Sequence, residues 1–314
     1  MRIPRPLMVV TVLLAVLAGN VAAAKETARD KHTEHARILG GHMFVPLSNV
    51  AWPFITTHFG ITVGGGMHRT KAVGIDTEGN ATTESLNLAA LTEQIELSLG
   101  LFDRVALSGR FGGLMVAGAS LEEILGSGAQ FSVYFGGGAT VKLVQAGPFI
   151  LSAGADFQYN DGQFVAPGAA LAVALQTFDL QQAQDALLIE TSGWFFEPVV
   201  AAAVAPIPCF GLQTSFGFTV GETTIQNASE SSKGILWGIG VALDLQHAHI
   251  PVTFPVGYGL GRTFGDAGTT EHQIEVGVYY SGRTHLDLGA SLRTLVGDDD
   301  QSRYLGAMRL NYIW

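Results

Sequence analysis

Large apolar side chains alternate with small or polar ones in segments of roughly ten residues through most of this sequence. Side chains alternate between the two faces of a β-strand, and about ten residues cross a bilayer as a tilted strand. The alternation therefore predicts membrane strands, although any one segment could also belong to a soluble β-sandwich. Residues 304–314 are the last such segment: Tyr304, Met308, Leu310, Tyr312 and Trp314 share one face, and Ala307, Arg309 and Asn311 share the other.

The composition favours a barrel in a membrane. The chain is 47% hydrophobic and only 14% charged, yet beyond the N-terminus no apolar stretch reaches the ~18 residues of a membrane helix. A closed sheet facing lipid explains both values, because closure satisfies every backbone group without an exposed edge. The formal net charge of -10 argues against a nucleic-acid partner, since phosphate binding needs a basic surface.

The N-terminus predicts export. Arg2 and Arg5 precede an apolar core over residues 9–19, and small residues at 21–24 suit signal-peptide cleavage after Ala24. A signal anchor is the competing interpretation, but the apolar core is short for a membrane helix. Cys209 is the only cysteine, so the exported fold has no intramolecular disulfide.

Three regions are expected: a signal peptide over residues 1–24, a periplasmic N-terminal segment over 25–53, and a transmembrane β-barrel over 54–314. The N-terminal segment begins with a charge-rich tail that we expect to be flexible. Its apolar part follows and is interrupted by Pro46 and Pro53, so it is neither a regular strand nor a helix. We favour a lead-in to the first strand over a small plug in the barrel mouth.

The fold class is all-β: a membrane-spanning, antiparallel up-and-down β-barrel of about fourteen strands. Tight turns, such as residues 100–104, alternate with longer polar loops, such as 70–83 and 120–128, as in outer-membrane barrels. The strand pattern weakens over 178–192, where residues 179–185 fit a helix or a loop. We assign a strand around Leu171, Val173 and Leu175, a short strand at 187–194 and another at 196–206, within or beside the region 163–194. Twelve strands is the alternative if this region is a loop or an inserted element.

Charged residues that face inward are the candidates for function, because a lipid-facing side chain does little but anchor. They either select solutes in a polar conduit or pair across the wall as structural braces. The lumen-facing candidates are Glu96, Arg110, Lys142, Asp156, Glu197, Asp244, Glu275, Asp287, Arg293 and Arg309. The aromatic residues expected at the membrane interface are Tyr304, Tyr312 and Trp314.

No enzyme, metal or cofactor signature is convincing. The sequence contains no Gly-x-Ser-x-Gly elbow and no His-Glu-x-x-His helix. The closest metal-like pattern is Asp244 with His247 and His249, which lacks a third histidine or cysteine nearby. His32, His35 and His42 form a looser set. We expect the acidic runs at Glu122–Glu123 and 298–300 to be solvated external loops. No catalytic residue, metal or cofactor is therefore assigned.

The hairpin Ser-Leu-Gly-Leu-Phe-Asp-Arg-Val-Ala-Leu at 98–107 and the closing Tyr-Ile-Trp at 312–314 resemble outer-membrane transporters, including those grouped with the meta-pathway phenol-degradation proteins. The resemblance implies passage or binding of small solutes, hydrophobic ones among them. It transfers no catalytic residue, and the long N-terminal hatch of fatty-acid transporters is not evident.

The sequence thus predicts an outer-membrane barrel that transports small molecules through a polar lumen. A filled barrel with a structural or surface-interaction role is the alternative, and a barrel hydrolase is less favoured. Expected partners are outer-membrane lipids and lipopolysaccharide, the barrel assembly machinery through the C-terminal strand, and a small solute. The last strand should pair with the first around residues 59–63, with Arg309 and Asn311 in the lumen and Trp314 in lipid at the periplasmic rim.

Overall fold

The computed structural model describes residues 37–75, 81–120, 124, 128–178, 181–182, 187–226, 228–265, 268–297 and 302–314. These residues form a closed antiparallel barrel, a short hairpin before it, and one helix between two barrel strands. The hairpin strands are β1 (Ile38–Leu39) and β2 (His42–Met43). The barrel strands are β3 (His58–Ile75), β4 (Ala81–Leu101), β5 (Val105–Gly118), β6 (Ala129–Ala146), β7 (Phe149–Val165), β8 (Leu188–Ile207), β9 (Phe210–Ile225), β10 (Ala228–Asp244), β11 (Val252–Phe264), β12 (Thr270–Tyr280), β13 (Leu286–Gly297) and β14 (Ser302–Ile313). Helix α1 spans Pro167–Thr177, and a 3-10 helix spans Gln246–Ala248.

Each barrel strand pairs with its neighbours in sequence, and β14 pairs with β3 to close the sheet. Met308 lies opposite Val63, and Asn311 lies opposite Gly60. Closure leaves the barrel sheet without a free strand edge, so every barrel strand has two hydrogen-bonded neighbours. The predicted pairing of the last strand with the first is therefore confirmed. Even β12, at 11 residues the shortest barrel strand, reaches the length of about ten residues that a membrane crossing needs.

The main estimate of fourteen strands is wrong, and the alternative of twelve is confirmed among the described residues. Leu171, Val173 and Leu175 lie in helix α1 rather than in a strand. Pro167 at the first helical turn and the alanines that follow favour a helix. Phe178 in the left-handed conformation (φ 54°) ends it. A short apolar run fits a strand and a helix alike, which is why periodicity failed here.

The other error of this region is that two predicted strands are one. Residues 188–194 and 196–206 both lie in β8, which runs without reversal alongside β7 from Leu188 opposite Val165 to Val204 opposite Phe149. The extra outward strand at 187–194 was predicted because consecutive strands of an antiparallel barrel must alternate in direction. Because α1 lies outside the sheet, β7 and β8 are consecutive antiparallel strands and no extra strand is needed.

One end of the barrel, which we call the turn end, has the tight β4–β5, β6–β7 and β8–β9 connections. The opposite end, which we call the loop end, has the longest connection, between β7 and β8. In the β4–β5 turn, Phe102 and Asp103 are consecutive left-handed residues (φ 54° and 55°). Such a pair matches the twist of a two-stranded hairpin, and the predicted hairpin is confirmed. The predicted loop 70–83 is too long, because β3 continues to Ile75 and β4 begins at Ala81. Glu122–Glu123 and 298–300 lie outside the described residues, as do 1–36.

Candidate functional site

The two faces of the barrel wall differ in polarity. On β4, Leu91, Ile95 and Leu97 are exposed on the outer face. The even-numbered residues of the same stretch face inward and are polar: Thr92, Gln94, Glu96 and Ser98 border the interior. An apolar exterior around a polar interior is the pattern of a barrel that has lipid outside and solute or side chains inside.

The interior is partly occupied by residues 37–57, which we call the inner segment. Its backbone bonds to inward side chains from several sides of the barrel. The nitrogen of Ala51 donates to Ser215 Oγ of β9 (3.0 Å), and Ser152 Oγ of β7 donates to the carbonyl of Pro53. Arg309 Nη1 of β14 donates to the carbonyl of Pro46 (3.1 Å). The inner segment therefore enters the barrel and returns to the turn end, where β3 begins.

Glycines on β10 and β11 allow the deepest part of the inner segment to approach the wall. A Cβ atom at Gly238 would overlap the backbone carbonyl of Asn49, and one at Gly257 would lie 2.5 Å from its side-chain oxygen. A residue other than glycine would push Asn49 away from both strands. The sequence shows that glycines line this part of the wall. The space beside these glycines is filled by the inner segment of the same chain.

Three buried carboxylates of the barrel wall bind the inner segment through hydrogen bonds or an ion pair. Asp244 accepts from the nitrogen of Met43 (3.3 Å). Glu275 accepts from both the backbone nitrogen (2.8 Å) and the hydroxyl of Ser48. A carboxylate removed from water is stable only when it is paired or hydrogen-bonded, so these contacts hold the segment in one position.

Asp287 pairs with Arg37: the distance from Arg37 Nη1 to Asp287 Oδ1 is 3.9 Å. This distance is an ion pair without a hydrogen bond, and Oδ1 has no hydrogen-bond partner among the described residues. Arg37 donates instead to the carbonyls of Leu286 (2.9 Å) and Arg283 (3.2 Å) at the β12–β13 turn. Asp287 Oδ2 accepts from Asn311 (3.1 Å). Arg37 thus joins the start of the inner segment to the turn end.

Aromatic packing completes the contact. The ring of Phe44 packs on Phe54 (centroids 5.1 Å apart), and Trp52 packs on Phe54 (4.7 Å). His42 meets Phe44 edge-on at 4.6 Å, and its Nδ1 donates to the carbonyl of Pro208 (3.2 Å). Burial lowers the pKa of His42 from its ordinary value, so the ring is neutral at pH 7.

Beside the inner segment lies a cavity of about 640 Å³. One side of its lining comes from the inner segment, and the barrel wall provides the rest. Polar lining residues without a formal charge include Gln94, Tyr134, Gln158 and Gln273. The cavity is therefore large enough for a small solute, and both polar and apolar side chains line its wall.

The structure brings seven of the ten lumen candidates together around this cavity: Glu96, Arg110, Asp156, Glu197, Asp287, Arg293 and Arg309. Asp244 and Glu275 are buried beneath the inner segment instead. Lys142 lies near the turn end, where its Nζ donates to Gln145 (2.8 Å), and it does not border the cavity. Within the lining, Arg110 pairs with Asp156 at 3.4 Å, and Glu96 lies 3.4 Å from His58.

Sequence reasoning missed the residues of the inner segment and Glu271, which also borders the cavity. The inward glycines of β10 and β11 were the available signal, since they mark a wall that something approaches closely. No period in the sequence connects Asn49 with those glycines, because the contact is long-range and irregular.

The three aromatic residues expected at the membrane interface lie on the outer face. Tyr304, Tyr312 and Trp314 are each about half exposed. Tyr312 packs against Trp314 (centroids 5.8 Å apart) near the turn end. The nitrogen of Trp314 donates to the carbonyl of Thr57 (3.0 Å), so the end of β14 lies beside the start of β3.

Asp244 and His247 do not form a metal site with His249. Asp244 directs one oxygen at Met43 and the other at Thr253 (3.3 Å) and Ser281 (3.1 Å). In the described part of the chain, no group of three or more His, Cys, Asp or Glu residues could hold a metal ion. His32 and His35 lie outside it. Among the described residues, no helix has the length and apolar character to cross a membrane.

No protein-family model and no curated protein matches the sequence. Solved structures are similar in fold. The translocator domain of the autotransporter NalP from Neisseria meningitidis matches with a TM-score of 0.54 and 9% identity, over 82% of this chain and 88% of that one. The transport unit of the autotransporter AIDA-I from Escherichia coli gives 0.51 and 9%, over 82% and 90%.

An outer-membrane channel from Pseudomonas putida F1 matches with a TM-score of 0.51 and 11% identity, over 86% of this chain and all of that one. At such low identity these matches show the fold alone. The chain has the fold of outer-membrane β-barrels, as the alternating sequence predicted, and the phenol-degradation type of transporter stays a prediction.

Proposed function

We propose that this protein is an outer-membrane β-barrel channel for small solutes. The observation that supports this most directly is the cavity of about 640 Å³ beside the inner segment, with polar walls inside an apolar exterior. A closed sheet is one of the two structures that satisfy the backbone within lipid. The match over the full length of a protein described as an outer-membrane channel is consistent with this function.

The cavity wall favours polar solutes over the hydrophobic ones that the resemblance implies. Arg110, Asp156, Glu197 and Arg293 all border it. An apolar solute would have to strip water from these groups without replacing their hydrogen bonds, which costs free energy. Solute passage then proceeds along the charged wall and past the inner segment.

The exterior and the N-terminus define the remaining parts of the proposal. The apolar outer face contacts outer-membrane lipids and lipopolysaccharide, and β14 is the strand that the barrel assembly machinery would recognise. Export through a signal peptide cleaved after Ala24 belongs to the same proposal, with residues 25–36 on the periplasmic side.

A filled barrel with a structural role is the second candidate. The observation in its favour is the inner segment itself, because Met43, Phe44 and Val45 are fully buried. Met43 donates to Asp244 of the wall, and Val45 accepts from Gln213 of the wall. In this case the inner segment would stabilise the barrel and nothing would pass.

Ionic current separates the two functions. The refolded mature protein in a planar bilayer should give discrete conductance steps. Ala307 borders the cavity, so Ala307→Trp should reduce the step size; Ala290 lies opposite the outward Met308, and Ala290→Trp should leave it unchanged. Absence of current from protein that still shows heat-modifiable migration would refute the channel and favour the filled barrel.

A further inference from the structure

Charged residues of opposite sign stand on opposite walls of the cavity. In the circular order of twelve strands, β7 is six positions from β13, and β8 is six positions from β14. Asp156 on β7 therefore stands across the barrel from β13 with Arg293, and Glu197 on β8 stands across from β14 with Arg309. All four residues border the same cavity.

Two of these four residues lack a direct partner within the described chain. Asp156 pairs with Arg110 (3.4 Å), and Arg309 donates to the carbonyl of Pro46 (3.1 Å). Glu197 makes neither a hydrogen bond nor a salt bridge with any described residue. The Nε of Arg293 has no acceptor in the described part of the chain.

The immediate neighbours relieve both groups only in part. Arg110 attracts Glu197 but is already paired with Asp156, and Glu275 attracts Arg293. Glu197 lies directly opposite Asp156 on the adjacent strand, and like charges in such a pair are destabilising. Arg293 lies opposite Glu275, but the inner segment already occupies one oxygen of that carboxylate through Ser48. A cation beside Glu197 and an anion beside Arg293 would each lower the free energy of the wall.

We propose that the cavity binds a zwitterionic solute with its charges at opposite ends, the ammonium group at Glu197 and Asp156 and the anionic group at Arg293. The volume of about 640 Å³ is in the range of small-molecule sites. A single small ion would compensate the unpaired charge on only one wall, whereas a solute with separated charges compensates the charges on both walls. The proposal deepens the proposed channel function, yet binding itself does not require passage.

Linear ω-amino acids of increasing length, from glycine to 6-aminohexanoate, are the probes. Calorimetric titration of the refolded full chain in detergent should show binding that strengthens with charge separation and exceeds that of the matched ω-hydroxy amides. Glu197→Gln and Arg293→Gln should each weaken binding of the best probe by about tenfold, because each removes one charge-assisted contact. Arg293→Lys should restore part of the loss, and Glu230→Gln, at an exposed position outside the lining, should bind as the unchanged protein does.

Two outcomes overturn the site: no preference for the zwitterions over the uncharged amides, or equal binding by the Glu197→Gln variant and the unchanged protein. Liposome swelling with the same solutes distinguishes this failure from failure of the channel. Binding without swelling would refute passage and support the site, whereas swelling without a binding preference for zwitterions over amides would support passage and overturn the site.

Discussion

At the scale of single residues, the buried side chains of Asp244, Glu275, Asp287 and Arg37 decide how the interior is filled. Each is almost fully withdrawn from solvent, and each has a contact that joins the inner segment to the wall. Removing one partner of a buried charge pair leaves the other uncompensated, which costs far more than the loss of a surface pair. Single substitutions here should therefore have large effects.

Arg37→Met should destabilise the folded protein by roughly 3–5 kcal/mol, because it leaves Asp287 buried without its cation and removes bonds to the carbonyls of Leu286 and Arg283. Urea unfolding in detergent measures the change. The double variant with Asp287→Asn should recover part of it. Arg69→Met removes the same charge at an exposed position and should change stability little. Equal losses in the two methionine variants would contradict the role of the buried pair.

Gly238→Ala should displace the inner segment, since the added methyl group would overlap the carbonyl of Asn49. We expect larger conductance steps and a stability loss of about 1–3 kcal/mol from overpacking. Gly109→Ala is the matched control, because a Cβ atom there has no neighbour within 4 Å. If planar-bilayer recordings of the two alanine variants are identical, Asn49 is not wedged against β10.

At the scale of elements, the inner segment and α1 are the two parts that do not follow the strand repeat. The inner segment is held by long-range contacts with the wall. Helix α1 ends in exposed residues, with Leu175 66% and Phe178 88% accessible. The strands on either side of α1 meet directly, because Val165 pairs with Leu188 and the nitrogen of Ala166 donates to the carbonyl of Leu187 (2.8 Å).

Replacing residues 167–186 by Asn-Gly should therefore leave the barrel intact. The strands β7 and β8 already have the register of a hairpin, and Asn-Gly suits a two-residue turn between antiparallel strands. We expect heat-modifiable migration to persist and the free energy of unfolding to change by less than about 1 kcal/mol. Loss of the folded species on electrophoresis would show that α1 contributes to assembly of the barrel.

At the scale of the whole molecule, closure through β14 and β3 divides the side chains into an outer and an inner set. The four tryptophans include members of both the outer and the inner set. Trp194, Trp237 and Trp314 are exposed on the outer face, whereas Trp52 packs against the buried cluster of the inner segment. If the exterior faces lipid, only the first three should contact acyl chains.

Fluorescence quenching by brominated lipids tests this division. In single-tryptophan variants with phenylalanine at the other three positions, Trp194, Trp237 and Trp314 should be quenched in vesicles of brominated phosphatidylcholine, and Trp52 should not. Quenching requires close approach of the bromine atoms, so the result reports contact with lipid directly. Quenching of Trp52 to the same extent would contradict an inner segment enclosed by the barrel.

The local pattern was sufficient for most of the barrel. Alternation identified the strands around Ile95, Phe135 and Leu288 and the turn at Phe102, because each depends on a period of two and on local backbone geometry. The same pattern placed Glu96, Arg110, Asp156 and Glu197 on the inward face. It failed at Leu171, where a short apolar run satisfies a helix as well as a strand.

The sequence by itself therefore determined the all-β barrel, the pairing of its last strand with its first, and the polarity of its two faces. Lipid outside and polar groups inside require apolar and polar residues to alternate along each strand. Only the tertiary structure decided the number of strands, the entry of residues 37–57 into the lumen, and the meeting of Arg37 with Asp287 and of Asn49 with Gly238. These contacts join residues about 190–250 positions apart. No local period encodes such contacts, since they arise only when the closed wall brings distant strands around one interior.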